Sequence, residues 1–337
     1  MQKLWIPLLL VCSSAAFRSD AVQLHYVPED GASVSVAVER VFDLKLTDTE
    51  QSMTLDGEEQ PSGEEPTFEL AMVERETIGF TDEYSVRDGQ LVSLRRTFEE
   101  IGNLYTMSIT DPEGEDFEEE SLGTSLLEGS TVLFVWDEED EEYVSSFVDE
   151  SEDLDDVLLQ ELDVEASFKD FLPTEEVEVG DSWELDVEAF IRMTNLSGEL
   201  HVIQEGDDQE DDEFGDEFDD NLAGELDATL MELIEVDGEQ IAVIDLVFDL
   251  STEVEVVAEV DEDEVTGTET ETTRFEFVIM GQLHWNLDEN HAQSCLMKGD
   301  IEMSVEAISA YVYNGLDLVV REIQVFEGTL AFQIAFD

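Results

Sequence analysis

The stretch SVSVAVERVFDLKL, residues 33–46, decides the reading of the fold. Val34, Val36, Val38, Phe42, Leu44 and Leu46 alternate with mostly small or polar residues, the period of a strand with one face on a core and the other in water. The same period recurs along most of the chain. Trp183, Leu185, Val187, Ala189, Ile191 and Met193 alternate with Glu184, Asp186 and Glu188, so a strand is expected there too. Asp88-Gly89, Asp237-Gly238 and Asn314-Gly315 each separate two apolar runs, and such dipeptides favour the φ > 0 turns of tight hairpins. Val132 to Trp136 and Tyr143 to Val148 flank the all-acidic loop Asp137 to Glu142 in the same way. The expected fold class is mainly β, built from large antiparallel curved sheets in half-barrel or sandwich-like meanders.

One segment reads differently. Leu154, Leu158 and Leu162, with Val157, Val164, Phe168 and Phe171, follow helical spacing, Ser151 is placed to cap, and Pro173 would stop the helix. Glu165 and Lys169 stand at the favourable i,i+4 spacing. A single amphipathic helix over 152–172 is therefore expected, lying against a curved β surface. It would divide an N-terminal β region, 22–172, from a C-terminal one, 173–337, although one continuous β domain fits nearly as well. Glycines at 198, 224, 281 and 299 each open a polar–apolar alternation at irregular spacing, and read as strand starts after a turn rather than as a repeat.

Charge dominates the composition. Ninety Asp and Glu against 13 Lys and Arg leave a formal charge of -77 on 337 residues. With 42% hydrophobic residues the chain can still build a core, so the acids must coat a folded body. Neighbouring carboxylates on one strand face lie about 7 Å apart, where repulsion in water is about 0.6 kcal/mol per pair. Molar salt, with a Debye length of about 3 Å, removes most of that. Lys45, Lys169 and Lys298 are the only lysines after the first few residues, and a saline setting is the expectation. A surface this negative excludes nucleic acid and anionic membrane surfaces as partners. It leaves a cationic partner or a hydrophobic small molecule open.

Glu205 to Asn221 holds 11 acidic residues in 17, with Phe214 and Phe218 its only apolar side chains. It is expected to be a disordered acidic loop that attracts divalent cations only weakly, because no D-x-[DN]-x-[DN]-G spacing is present.

Met1-Gln2-Lys3, the apolar Leu4 to Val11 and the small residues Ser13 to Ala16 compose a signal peptide within residues 1–21, with cleavage expected after Ala16 or Ala21. Export to a periplasmic or extracellular setting follows. Cys295 is then the one remaining cysteine, so no internal disulfide is expected. There is no G-x-S-x-G, Walker, G-x-G-x-x-G or H-E-x-x-H motif. Among the four histidines, His25, His201, His284 and His291, the only local grouping is His284, His291 and Cys295. Its H-x6-H-x3-C spacing is not a standard zinc pattern, so these three stand as weak metal candidates beside a structural reading. Asp288-Glu289-Asn290 between them reads as a turn. Arg95 and Arg96 are adjacent on a strand and must point to opposite faces, one towards surface carboxylates and the other inward, where it needs a partner. Gly180-Asp181 before Trp183 reads as a structural corner.

TDEYSVRDGQLVSLRRTFEEI (81–101), LLEGSTVLFVWDEEDEEYVSSF (126–147) and FLPTEEVEVGDSWELD (171–186) resemble recurring phrases of uncharacterised exported proteins from planctomycete-type bacteria. The resemblance covers about half of the chain after its leader and implies no activity and no site residues. The expected function is that of a non-enzymatic exported β protein with a binding or structural role. A carrier of a hydrophobic ligand in a half-barrel cavity is the alternative, and a hydrolase built on scattered carboxylates the second.

Overall fold

In the computed structural model the described residues are 21–61, 68–111, 114, 116–149, 154–160, 162–164, 167–204, 213–262, 265–313 and 316–337. Residues 1–20 of the expected leader, the caps and pairs expected at Ser151 and Glu165, and the Asn314-Gly315 turn lie outside them.

Strands β1 (Ser33–Leu55), β2 (Glu58–Gln60), β3 (Glu69–Arg87), β4 (Gln90–Thr110), β5 (Asp116–Thr124), β6 (Thr131–Asp137) and β7 (Glu142–Phe147) precede β8 (Ser182–Glu184) and β9 (Ile203–Gln204). They are followed by β10 (Ala223–Val236), β11 (Glu239–Glu262), β12 (Val265–Asn286), β13 (His291–Tyr313) and β14 (Leu316–Phe336). All belong to one antiparallel 14-stranded sheet in the order β7-β6-β4-β3-β1-β14-β13-β12-β11-β10-β8. The sheet is open and does not close into a barrel. The mainly β, antiparallel expectation is therefore met. β1 pairs with β14 from Val36↔Phe336 to Leu55↔Leu318, so the N- and C-terminal β regions share this sheet.

The expected turns sit at Asp88-Gly89 and Asp237-Gly238, where Asp and Gly all have φ between 54° and 100°. Asp56-Gly57 makes a third, between β1 and β2. Gly281 and Gly299, expected to start strands, lie instead in the middle of β12 and β13. A Cβ at Gly281 would stand 2.1 Å from the Leu296 carbonyl oxygen, at Gly299 2.0 Å from that of Val278, and at Gly328 1.8 Å from that of Asp43. The pairs Gly281↔Met297, Ile279↔Gly299 and Ile301↔Gly328 carry this crowding diagonally across three strands. Such bare positions let adjacent backbones close in where a sheet bends.

The expected strand over 183–193 is a correction. Only Ser182–Glu184 is strand, and Val187–Thr194 is helix α1, capped by the Asp186 carboxylate, which accepts from Glu188 N. Phe190 breaks the alternation: it and its neighbour Ala189 are both buried, which a strand facing one core cannot arrange and a helix can. Its ring lies 5.8 Å from Phe248, 6.1 Å from Phe332 and 6.5 Å from Phe277, reaching β11, β14 and β12 at once. The helix thus fills the curved face of the sheet.

The helix expected over 152–172 is a second correction. The described residues there hold two short 3-10 turns, Asp156–Leu159 and Lys169–Phe171, with extended backbone at Gln160 and a bridge from Leu162 to Gly198. Long-range bonding overrides the local spacing. Arg96 takes the carbonyls of Asp163 and Val164, at 2.8 and 3.3 Å, and Asp163 N donates to Ser197 O, so these groups are withdrawn from any helical ladder. Leu158, Phe168 and Phe171 still reach the core.

The acidic stretch also departs from expectation. Residues 205–212 lie outside the described set, but Glu213–Asp220 forms helix α2. Phe218 anchors it, with its ring 5.3 Å from Phe275 and 6.1 Å from Phe277, while its carbonyl accepts from Thr252 Oγ1 at 3.0 Å.

Candidate functional site

A cavity of about 400 Å³ opens at the rim of the sheet, within the range of small-molecule sites. Five separate pieces of chain build it. The segment before β1 supplies Tyr26 and Glu29, and is tied down by the Val22–Val177 bridge and by Tyr84 N donating to Ala32 O at 2.9 Å. β3 supplies Tyr84, the irregular segment after β7 supplies Ser167 and Phe168, and the β12–β13 turn supplies Glu289 and His291. Phe336, at the end of β14, meets Phe168 edge to face at 5.8 Å and closes the wall.

The turn is held by one buried side chain. Asn286 Oδ1 accepts from Asp288 N at 2.9 Å and Glu289 N at 3.1 Å, while its Nδ2 donates to the Glu239 and Glu289 carboxylates at 2.8 and 3.2 Å. Glu289 is thereby fixed and bonds His291 Nε2 at 3.0 Å. The other ring nitrogen of His291, Nδ1, contacts the Ala292 carbonyl. Ser167 Oγ is buried and has no hydrogen-bond partner among the described residues.

Behind Tyr84 lies an ion pair. Asp82, Tyr84 and Arg96 occupy inward positions on β3 and β4, where Asp82 pairs with Arg96 and Tyr84 with Leu94. The Arg96 fork meets Asp82 at 2.8 Å through both Nε–Oδ1 and Nη2–Oδ2, and both side chains are fully buried. Burial pulls the guanidinium pKa down, but the Asp82 carboxylate, together with Tyr84 and Asp163, more than offsets it and keeps Arg96 charged. The Tyr84 hydroxyl hydrogen-bonds Tyr26, and burial, then the Asp82 charge, push its pKa well above the ordinary phenol value. Tyr84 thus presents a neutral phenol to the cavity.

Of the weak metal candidates, His291 lines this cavity, while His284 and Cys295 do not. Cys295 pairs with Leu283, so it shares the inner face with that residue, and His284, the next residue along β12, points the other way. Burial pushes the Cys295 thiol up to about 12 and pulls the His284 imidazole down, against the pull of Glu232. The strands therefore separate these three side chains. Among the described residues no three His, Cys, Asp or Glu side chains stand close enough to share a metal ion.

The adjacent arginines divide as expected. Arg95 is exposed, 3.6 Å from Glu83, and Arg96 points inward. Gly180-Asp181 is a corner: Asp181 accepts from Glu178 N at 2.8 Å, Gly180 N donates to Leu230 O at 2.7 Å, and Trp183 Nε1 donates to Phe171 O at 3.0 Å.

Sequence reasoning missed the cavity, since Tyr26, Tyr84, Ser167 and Phe336 come from distant segments. One signal was present: the alternation Phe80, Asp82, Tyr84 places an acid inward, opposite an inward arginine. Among the described residues no helix is long and apolar enough to cross a membrane. The sequence matches no known protein-family model, and no curated protein shows detectable similarity to it.

Proposed function

We propose that the protein is a non-catalytic binding protein that holds a small ligand in the rim cavity. One observation carries this reading: four aromatic residues from distant parts of the chain line a cavity of about 400 Å³, and one of them, Tyr84, feels the charges of the buried Asp82–Arg96 pair. A preformed wall costs little to order on binding. His291 has both nitrogens engaged, so no histidine base is poised toward Ser167, and the Cys295 thiol stays protonated. This arrangement favours binding over nucleophilic chemistry. The filling of the curved face by Phe190, Phe168 and Phe171 favours a compact ligand over a lipid chain. The acid coat supports an exported protein of a saline setting.

Native mass spectrometry of freshly purified protein tests the reading. A stoichiometric small-molecule adduct is expected, and it should be lost when Ser33→Trp, at an exposed position of the cavity lining, fills the mouth. A retained lipid unaffected by Ser33→Trp would support the hydrophobic-carrier alternative instead.

A further inference from the structure

We infer that the rim cavity takes an organic ammonium ion with an apolar body, a reading that rests on this cavity being the binding site. The walls come first. Tyr26, Tyr84, Phe168 and Phe336 all line it, and aromatic faces attract cations through their quadrupoles while burying apolar surface. The charges point the same way. Glu29, Glu289 and Asp337 line the cavity, and neither lysine nor arginine does.

An anionic ligand would find no lysine or arginine in the lining. Arg96, a buried cation beside Tyr84 and not part of the lining, has its fork closed on Asp82 and its remaining contacts on the carbonyls of Asp163 and Val164. His291 is held by Glu289 and the Ala292 carbonyl. A carboxylate or phosphate entering here would face three acidic residues, Glu29, Glu289 and Asp337, without a lysine or arginine to compensate. A neutral hydrocarbon would fit the rings but leave polar groups desolvated against it.

The head group of a bound ammonium would be met by the Glu29 and Glu289 carboxylates, and the body by the rings. The chain's charge of -77 raises the local concentration of any cation around the mouth.

The experiment uses the chain without its leader and three near-isosteric probes: phenethylammonium, phenethyl alcohol and phenylpropionate. Isothermal titration is run for wild type, Glu289→Gln and Ser33→Trp. Phenethylammonium should bind wild type at least about tenfold more tightly than the alcohol, with no binding of phenylpropionate. Glu289→Gln should weaken the ammonium about three- to tenfold while sparing the alcohol, and Ser33→Trp should abolish both. If the alcohol or phenylpropionate binds as tightly as the ammonium and Ser33→Trp abolishes it, the ligand class is wrong and the cavity stands. Ammonium binding that survives both substitutions would belong to the acidic surface and would overturn the inference. If no probe binds, the ligand class and the cavity reading both fall.

Discussion

The guanidinium carbon of Arg96 lies 4.3 Å from the ring centre of Phe80, so the cation whose edge is closed on Asp82 has its flat face on an aromatic ring. Phe134 flanks it at 5.8 Å. An ion pair so enclosed is costly to break from one side. Asp82→Ala strands a buried cation and should destabilise the protein by about 3–5 kcal/mol, read as a shift of the urea midpoint. Asp82→Leu combined with Arg96→Met should cost clearly less than Asp82→Ala. Equal losses in the two variants would mean that charge pairing is not what holds this site.

Glu76 gives a pH dependence of definite sign. It bonds Arg40 at 2.9 Å from an inward position on β3, and burial raises its pKa above 4.5, opposed by Arg40 and reinforced by Glu74. The folded protein therefore binds this proton more tightly than the unfolded chain does. Its contribution to stability falls as pH rises from 4.5 through the raised value, and is regained on acidification. Glu76→Gln cannot titrate, so its stability–pH curve should lack that increment. Parallel curves for the two proteins would refute the assignment.

Cys295 should behave as a hydrocarbon. With its thiol pushed up to about 12, it holds almost no thiolate at neutral pH and is shielded on all sides. Iodoacetamide should leave it unlabelled in the native protein and label it fully in urea, as followed by mass of the intact chain. Rapid native labelling would show that β13 opens locally far more often than a fully paired central strand should.

Salt should stabilise this protein. Glu253, Glu255 and Glu259 lie exposed along the outer face of β11, and comparable rows recur on other strands. Raising NaCl from about 0.05 to about 1 M should screen most of their mutual repulsion and raise Tm by several degrees. An unchanged Tm would remove the saline reading, while leaving the fold and the cavity as they are.

The legible and illegible parts of the chain differ in physical kind. The strands over 33–46 and the Asp-Gly hairpins follow from contacts between near neighbours and from the conformational freedom of single residues, so they can be read locally. That one of Arg95 and Arg96 faces inward was readable from their adjacency on a strand. What Arg96 bonds to was not, and its hold on the Asp163 and Val164 carbonyls is what dissolves the expected helix over 152–172. Helix α1 was hidden for the opposite reason, since Leu185, Val187 and Ala189 mimic a strand until Phe190 breaks the pattern. The cavity joins residues 26, 84, 167, 291 and 336, and no local spacing announces that meeting.

The pairing of β1 with β14 bears on how the protein comes to be folded. These two strands lie in the middle of the sheet and are bridged by contacts such as Thr47 with Val325, 278 residues apart. Until residues 316–336 are available, β1 and β13 each present a long unsatisfied edge to the surroundings, separated by the gap that β14 will occupy. Closing that gap is a step of very high contact order, and such steps are slow. The carboxylates lining the waiting edges would then act as a kinetic safeguard, keeping half-made sheets from one another until the missing strand arrives.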